Sequence, residues 1–241
     1  MNPKAMELHG IALSDYFNGD KSATITVRRD DGHESPLPVH IFFREPSEFT
    51  TNKAAIENCK GKILDVGGGT GLHSLVLQQQ GFAVTAIDIN QYAVEIMIKR
   101  DVKHVHCADI FDYSEGQFDT ILMLGHGIGM VETIAGLDRF LSHAHGLLAA
   151  DGQVLMDSMD VRVTDDRKHL EYLEANRKAG RYVGEIRMQF EYQGKTGPFC
   201  GWLHVDSETL KQHATKLGWV CEVIVHDGAE YLARLTKARV V

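Results

Sequence analysis

The sequence predicts an α/β fold: a doubly wound, mostly parallel sheet with a closing antiparallel pair, an N-terminal helix and hairpin, and an inserted β-hairpin. Three observations carry this expectation. The apolar run Lys62-Ile63-Leu64-Asp65-Val66 passes directly into Gly67-Gly68-Gly69-Thr70-Gly71, a strand entering a glycine turn that a helix follows. Beyond it, strand-length apolar stretches alternate with stretches of helical period over short connections, the pattern of a parallel sheet covered on both faces. Near the C-terminus, residues 219–225 and 231–235 flank Asp227-Gly228, a turn signal for a closing antiparallel pair.

From the N-terminus, Leu8, Ile11, Ala12 and Phe17 stand at helical spacing before Asn18-Gly19 breaks the pattern, so a short helix is expected over 5–17. Segments 24–28 and 37–43 read as two strands about the Asp31-Gly32 turn, outside the glycine-loop domain. Tyr16, Phe42 and Phe43 either cap a ligand pocket or pack on the main domain, and Arg44 is either a substrate anchor or a surface charge. Residues 50–59 read as a helix capped by Thr50 or Thr51. After the loop come helix 72–80, strand 82–87, helix 91–99 capped by Asn90, strands 104–107 and 118–124, a helical region 131–149, and strand 153–156 following Asp151-Gly152. Segment 166–179 reads as a helix ending at Gly180, and 184–192 with 199–205 as a hairpin inserted ahead of helix 208–217. The chain thus divides into an extension, 1–49, that packs on or caps the core, and a domain, 50–241, with an insertion near 161–205.

A length of 241 residues suits one α/β domain with additions. A net charge of −8 with scattered Lys and Arg lacks the basic stripe of a nucleic-acid binder, so no nucleic-acid partner is expected. Cys59, Cys107, Cys200 and Cys221 form no C-x-x-C pair, and the pairs His104/His106 and His143/His145 lack a third ligand, so neither metal nor disulfide framework is expected. The opening residues lack a signal-peptide core and no run approaches a membrane span, which reads as a reduced, cytoplasmic protein. Oligomeric state is not legible.

Gly67, Gly69 and Gly71 allow positive φ and close approach of a ligand, and the N–H groups of the following helix point back at the turn. The dinucleotide pattern G-x-G-x-x-G begun at Gly67 requires glycine where the chain has Leu72. The chain shows D-x-G-x-G-x-G from Asp65, and an acid there repels a pyrophosphate but suits a cationic amino group. That favours S-adenosylmethionine (SAM). Asp88 ends the second strand about 20 residues past Gly67, where a carboxylate accepts from ribose hydroxyls. Asp109 follows the third strand and either accepts from an adenine amino group, with Ile110 and Phe111 against the ring, or is a solvated acid. His126, after the fourth strand, is a base, an acceptor-orienting group or a loop histidine satisfied by backbone. Asp157, Ser158 and Asp160 follow the fifth strand and touch the acceptor or lie at the surface; Tyr182, Phe199 and Trp202 line an aromatic pocket or pack in the core.

The motif at 65–71 with Asp88, Asp109 and the strand 118–124 resembles the class I SAM-dependent methyltransferases, over roughly residues 50–160 and 206–236, and is similar to a bacterial group of undefined substrate. The resemblance implies the seven-stranded sheet with its antiparallel last strand, Asp65 and the glycines at the methionine part of SAM, Asp88 at the ribose and Asp109 at the adenine. The expected cofactor set is Asp65, Gly67, Gly69, Gly71, Asp88, Ile89, Asp109, Ile110 and Leu124; the candidate catalytic residues are His126, Asp157 and Asp160. No Asn-Pro-Pro-Tyr type motif follows the fourth strand, so amino methylation of nucleobases is not expected. The expected reaction is in-line methyl transfer from SAM to a small-molecule acceptor. The alternatives are an NAD(P)-dependent oxidoreductase, sharing the glycine turn and Asp88, and a non-catalytic SAM-binding protein.

Overall fold

A computed structural model describes residues 1–239. A 3-10 turn, Pro3–Met6, leads into α1 (Glu7–Phe17), then the antiparallel pair β1 (Thr24–Arg29) and β2 (Glu34–Pro38). The strand expected at 37–43 is displaced toward the N-terminus, and Val39–Phe43 is a 3-10 helix. Pro36 and Pro38 account for this: proline has no N–H to donate, so it is tolerated in β2 at the sheet edge but does not extend a paired ladder. In α2 (Thr50–Glu57) the N-cap is Phe49, and Thr50 and Thr51 lie inside the first turn instead of capping it.

The core runs β3 (Lys62–Val66), α3 (Leu72–Gln79), β4 (Ala83–Asp88), α4 (Gln91–Lys99), β5 (Val105–Cys107), β6 (Phe118–Met123), α5 (Ile134–Leu147) and β7 (Leu148–Met159). Asn90 caps α4 by accepting from Tyr92 N–H at 3.0 Å, as expected. Two elements differ in extent. Residues Gly127–Val131 form a 3-10 turn ahead of Thr133, which caps α5, and β7 starts at Leu148, so Asp151-Gly152 lies in a bulge of the β6–β7 ladder, not in a connection. After α6 (Arg167–Lys178) come β8 (Glu185–Tyr192), β9 (Lys195–Thr196), β10 (Cys200–Leu203), α7 (Ser207–Lys216), β11 (Trp219–Asp227) and β12 (Glu230–Lys237).

Seven strands form the main sheet in the order β11-β12-β7-β6-β3-β4-β5; β3 to β7 are parallel and β12 is antiparallel to both its neighbours. The order reverses beside β3, and a crevice for ligands opens there at the carboxyl ends of β3 and β6. Ile63, Leu64, Ile121, Leu122, Val154 and Leu155 are fully buried, the consequence of apolar runs covered on both faces. Each such side chain stabilises the fold by about 1.5–3 kcal/mol.

The extension and the insertion join into a second sheet, β10-β8-β1-β2, through antiparallel pairing of β1 with β8 in the register Val27↔Phe190. Leu13 of α1, Ile25 of β1, Phe190 of β8 and Ile96 of α4 share one core, which welds this sheet to the main domain. At the weld, Gly10 lies so close to Asn90 that a Cβ would sit 2.2 Å from its Oδ1, and Asn90 Nδ2 donates to Met6 O at 2.6 Å. Among the described residues, no helix is long and apolar enough to cross a membrane.

Candidate active site

A cavity of about 480 Å³ lies between the carboxyl ends of the main sheet and the second sheet. Its floor is the loop after β3. Gly67 and Gly69 adopt φ of 73° and 57°, a region closed to most side chains, and a Cβ on Gly67 would meet Met130 Cε at 2.5 Å. The loop is tied to the next strand because Gly69 N–H donates to Asp88 Oδ2 at 2.9 Å, while Asn90 N–H donates to Oδ1 at 2.8 Å. Burial outweighs these two N–H groups and pushes the Asp88 carboxyl up to about 6. Ile89, Asp109, Ile110 and Leu124 also line the cavity. Asp109 Oδ1 accepts from Phe111 N–H at 2.9 Å, and its Oδ2 lies 3.3 Å from the amino group of Met1.

Two members of the expected cofactor set lie behind the wall rather than in it. Asp65 is 1% exposed and accepts from Ser74 Oγ at 2.6 Å, so its carboxylate fastens the first turn of α3 beneath the loop. Gly71 is the N-cap of α3, with φ of 82° and no room for a side chain beside Val102.

The other end of the cavity is built around the turn after β6. His126 has φ of 58°, unusual for a residue with a Cβ, and the turn is held in place by Asp157. Both Asp157 oxygens are taken by backbone, from Gly125 N–H at 3.0 Å and His126 N–H at 2.7 Å. Asp157 therefore positions His126. The imidazole Nε2 lies 3.6 Å from Glu230 Oε1 on β12. Burial pulls the His126 pKa down, but Glu230 and Asp157 outweigh it and hold the imidazolium above the ordinary histidine value. Asp160 does not line the cavity: a bidentate pair with Arg162, at 2.8 Å for each contact, occupies its carboxylate. Ser158 Oγ accepts from Val205 N–H at 3.0 Å and so fastens the end of the insertion to the core.

Several wall residues were not singled out from the sequence. His204 follows β10; its ring meets that of His126 edge-on at 5.4 Å and 83°, its Nδ1 is buried without a hydrogen-bond partner, and burial lowers its pKa to about 3. His73, in the first turn of α3, has a buried, unpartnered Nε2. His9 stands between Phe42 and Phe190, and burial lowers its pKa to about 4. Arg44, which the sequence left as a substrate anchor or a surface charge, lines the cavity with its guanidinium 4.4 Å from the Phe49 ring and its Nε buried and unpartnered. Of the aromatic candidates, Phe42 and Trp202 reach the cavity, whereas Tyr16 stacks on Phe43, Tyr182 donates to Asp206 Oδ2 and Phe199 is 39% exposed. His143 and His145 each donate to a backbone carbonyl, of Tyr113 and Leu217. No group of three potential metal ligands converges among the described residues.

The methyltransferase domain family matches residues 39–222. In structure the chain is similar to a SAM-dependent methyltransferase from Bacteroides fragilis in complex with S-adenosyl-L-homocysteine (SAH), at 33% identity and a TM-score of 0.86 over 99% of this chain and 98% of that one. It is similar in fold to the sugar N-methyltransferase from Streptoalloteichus, at 14% identity and a TM-score of 0.55 over 82% and 88% of the two chains. A glycopeptide N-methyltransferase complexed with SAM shares the fold at 12% identity and a TM-score of 0.54 over 81% and 96%. No curated protein matches the chain.

Proposed function

The chain belongs to the SAM-dependent methyltransferases that carry this methyltransferase domain, and from that premise we propose that it methylates a small molecule held beneath the second sheet, with His126 as the base. SAM is the cofactor and supplies an electrophilic methyl group. The residues present fit it. Gly67 and Gly69 leave the loop free of Cβ atoms, and each Asp88 oxygen has a lone pair to spare for a ribose hydroxyl beyond the one its N–H donor takes. Asp109 and Ile110 suit an adenine edge and face, and the unpartnered Nε of Arg44 suits a carboxylate.

The observation that carries the acceptor class is the roof. Val27, Leu37, Met188, Phe190 and Trp202 of the second sheet face the glycine loop across the cavity, so the space beside the loop is roofed and suits a small acceptor. The extension 1–49 and the insertion near 161–205 thus serve the domain as one cover. A methyl group leaves a sulfonium by in-line displacement, so the protein's task is to align the nucleophile and take its proton. His126 suits that task, since Asp157 fixes its backbone and Glu230 stabilises the imidazolium that forms. Four free cysteines support a reducing, cytoplasmic location.

Incubation of the protein with a metabolite extract and isotopically labelled SAM, read by mass spectrometry, tests this reading. Label is expected in a small molecule, and His126→Ala is expected to cut its formation by roughly 10²- to 10⁴-fold with SAH affinity nearly unchanged. Label found only in macromolecules, or a fully active His126→Ala variant, would refute it.

A further inference from the structure

We propose that His204 binds the acceptor, and that the acceptor is an uncharged hydroxyl carried on an apolar, ring-sized body. The inference rests on the reading of His126 as the base of a small-molecule pocket. Its first support is the orphaned Nδ1 of His204, a buried nitrogen on the cavity wall without a protein partner, where buried polar atoms are as a rule paired. The ring that carries it stands edge-on to His126 at 5.4 Å, so one ligand can reach both imidazoles. Backbone and core hold it there: His204 N–H donates to Gly184 O at 2.9 Å, and Val205 N–H to Ser158 Oγ at 3.0 Å.

Charge selects the class. The His126 imidazole lies 3.6 Å from the Glu230 carboxylate, so charge on either is met by the other, and burial keeps His204 neutral. Beside these three groups neither an anion nor an ammonium finds an unpaired countercharge. A hydroxyl needs none, because it carries no charge until its proton moves. As its oxygen forms the new C–O bond, the proton passes to His126, and the electron pair of the broken C–S bond stays on sulfur, yielding SAH. Leu13, Val27, Phe42, Phe190 and Trp202 give the wall apolar and aromatic surface that suits a ring. His73 Nε2, the other orphaned imidazole nitrogen of the wall, leaves a place for a second polar substituent.

The test uses the full chain saturated with SAH and three probes with one ring and different charge: phenol, benzoate and benzylamine. Binding is followed by calorimetry and by the ring-nitrogen resonances of ¹⁵N-histidine-labelled protein. Phenol is expected to bind at least about tenfold more tightly than the other two and to shift the His204 resonance. His204→Phe, which keeps a ring, and His204→Ala are each expected to weaken phenol about tenfold with SAH affinity unchanged. Tighter binding of benzoate or benzylamine, or no binding of any probe, would overturn the acceptor class. Phenol affinity unchanged in both variants, or SAH affinity lost along with it, would remove His204 from the acceptor site. Failure of the wild-type protein to bind SAH or to label any small molecule would instead sink the underlying pocket reading.

Discussion

Asp88 concentrates the electrostatics of the cofactor end in one carboxyl, held by two backbone N–H groups yet pushed up to about 6 by burial. Ribose hydroxyls donate to the carboxylate, so protonation removes what they bind. SAH affinity is therefore expected to fall as pH drops through about 6, and Asp88→Ala to lose about 1.5–3 kcal/mol of it at neutral pH, both read by calorimetry. His126 titrates in the same sense for function: a base works deprotonated, so the rate also rises with pH through its pKa. Because Glu230 raises that pKa, Glu230→Gln is expected to move the ascending limb of the pH–rate profile to lower pH. A profile that stays in place would show that Glu230 does not face the working imidazole. Asp157, placed among the catalytic candidates from the sequence, holds the turn instead. Asparagine there offers one acceptor oxygen and turns an NH₂ toward a donor, so Asp157→Asn is expected to cost about 1.5–3 kcal/mol in urea denaturation.

Trp202 of β10 presses on the 3-10 turn that follows His126, where a Cβ added to Gly129 would lie 2.1 Å from the indole. Gly129→Ala is expected to displace the indole and reduce turnover while leaving SAH affinity intact, because the contact joins roof to acceptor end and not to the glycine loop. Equal loss of both in parallel assays would show that the two ends move together. The elements of the main sheet were legible in the sequence because each follows from local pattern: the apolar run at Ile63-Leu64, the cap at Asn90, the turn at Asp227-Gly228. What escaped was non-local. Pairing of Val27 with Phe190 links segments far apart in the chain and leaves no periodic trace, and with it went His204, which reaches His126 only because that pairing carries the insertion over the crevice. Asp160 escaped for a different reason, since its position after a strand is right for the crevice and only the competing guanidinium of Arg162 takes its carboxylate. Proline was the overlooked local signal at β2.

At the scale of the molecule, the roof and the catalytic sheet are coupled through one residue as well as one core. Asn90 donates its backbone N–H to Asp88, accepts from Tyr92 at the start of α4, and donates its side chain to Met6 beside α1. A ligand that fixes Asp88 thereby fixes the seat on which α1 and the second sheet rest. SAH at a hundredfold excess over its Kd contributes about 2.7 kcal/mol to the folded state, which for a chain of this length corresponds to a rise of roughly 5–10 °C in melting temperature. NAD and ATP are expected to give no such rise, since Leu72 stands where a dinucleotide loop needs glycine and Asp65 opposes a phosphate. If the coupling holds, melting remains a single transition that moves as a whole, and hydrogen exchange slows not only in β3 and β4 but also at the amides of β1 and β8, which lie in the second sheet. Protection confined to the main sheet would make the roof a separately opening unit, with the contact of Gly10 against Asn90 a packing feature that transmits nothing.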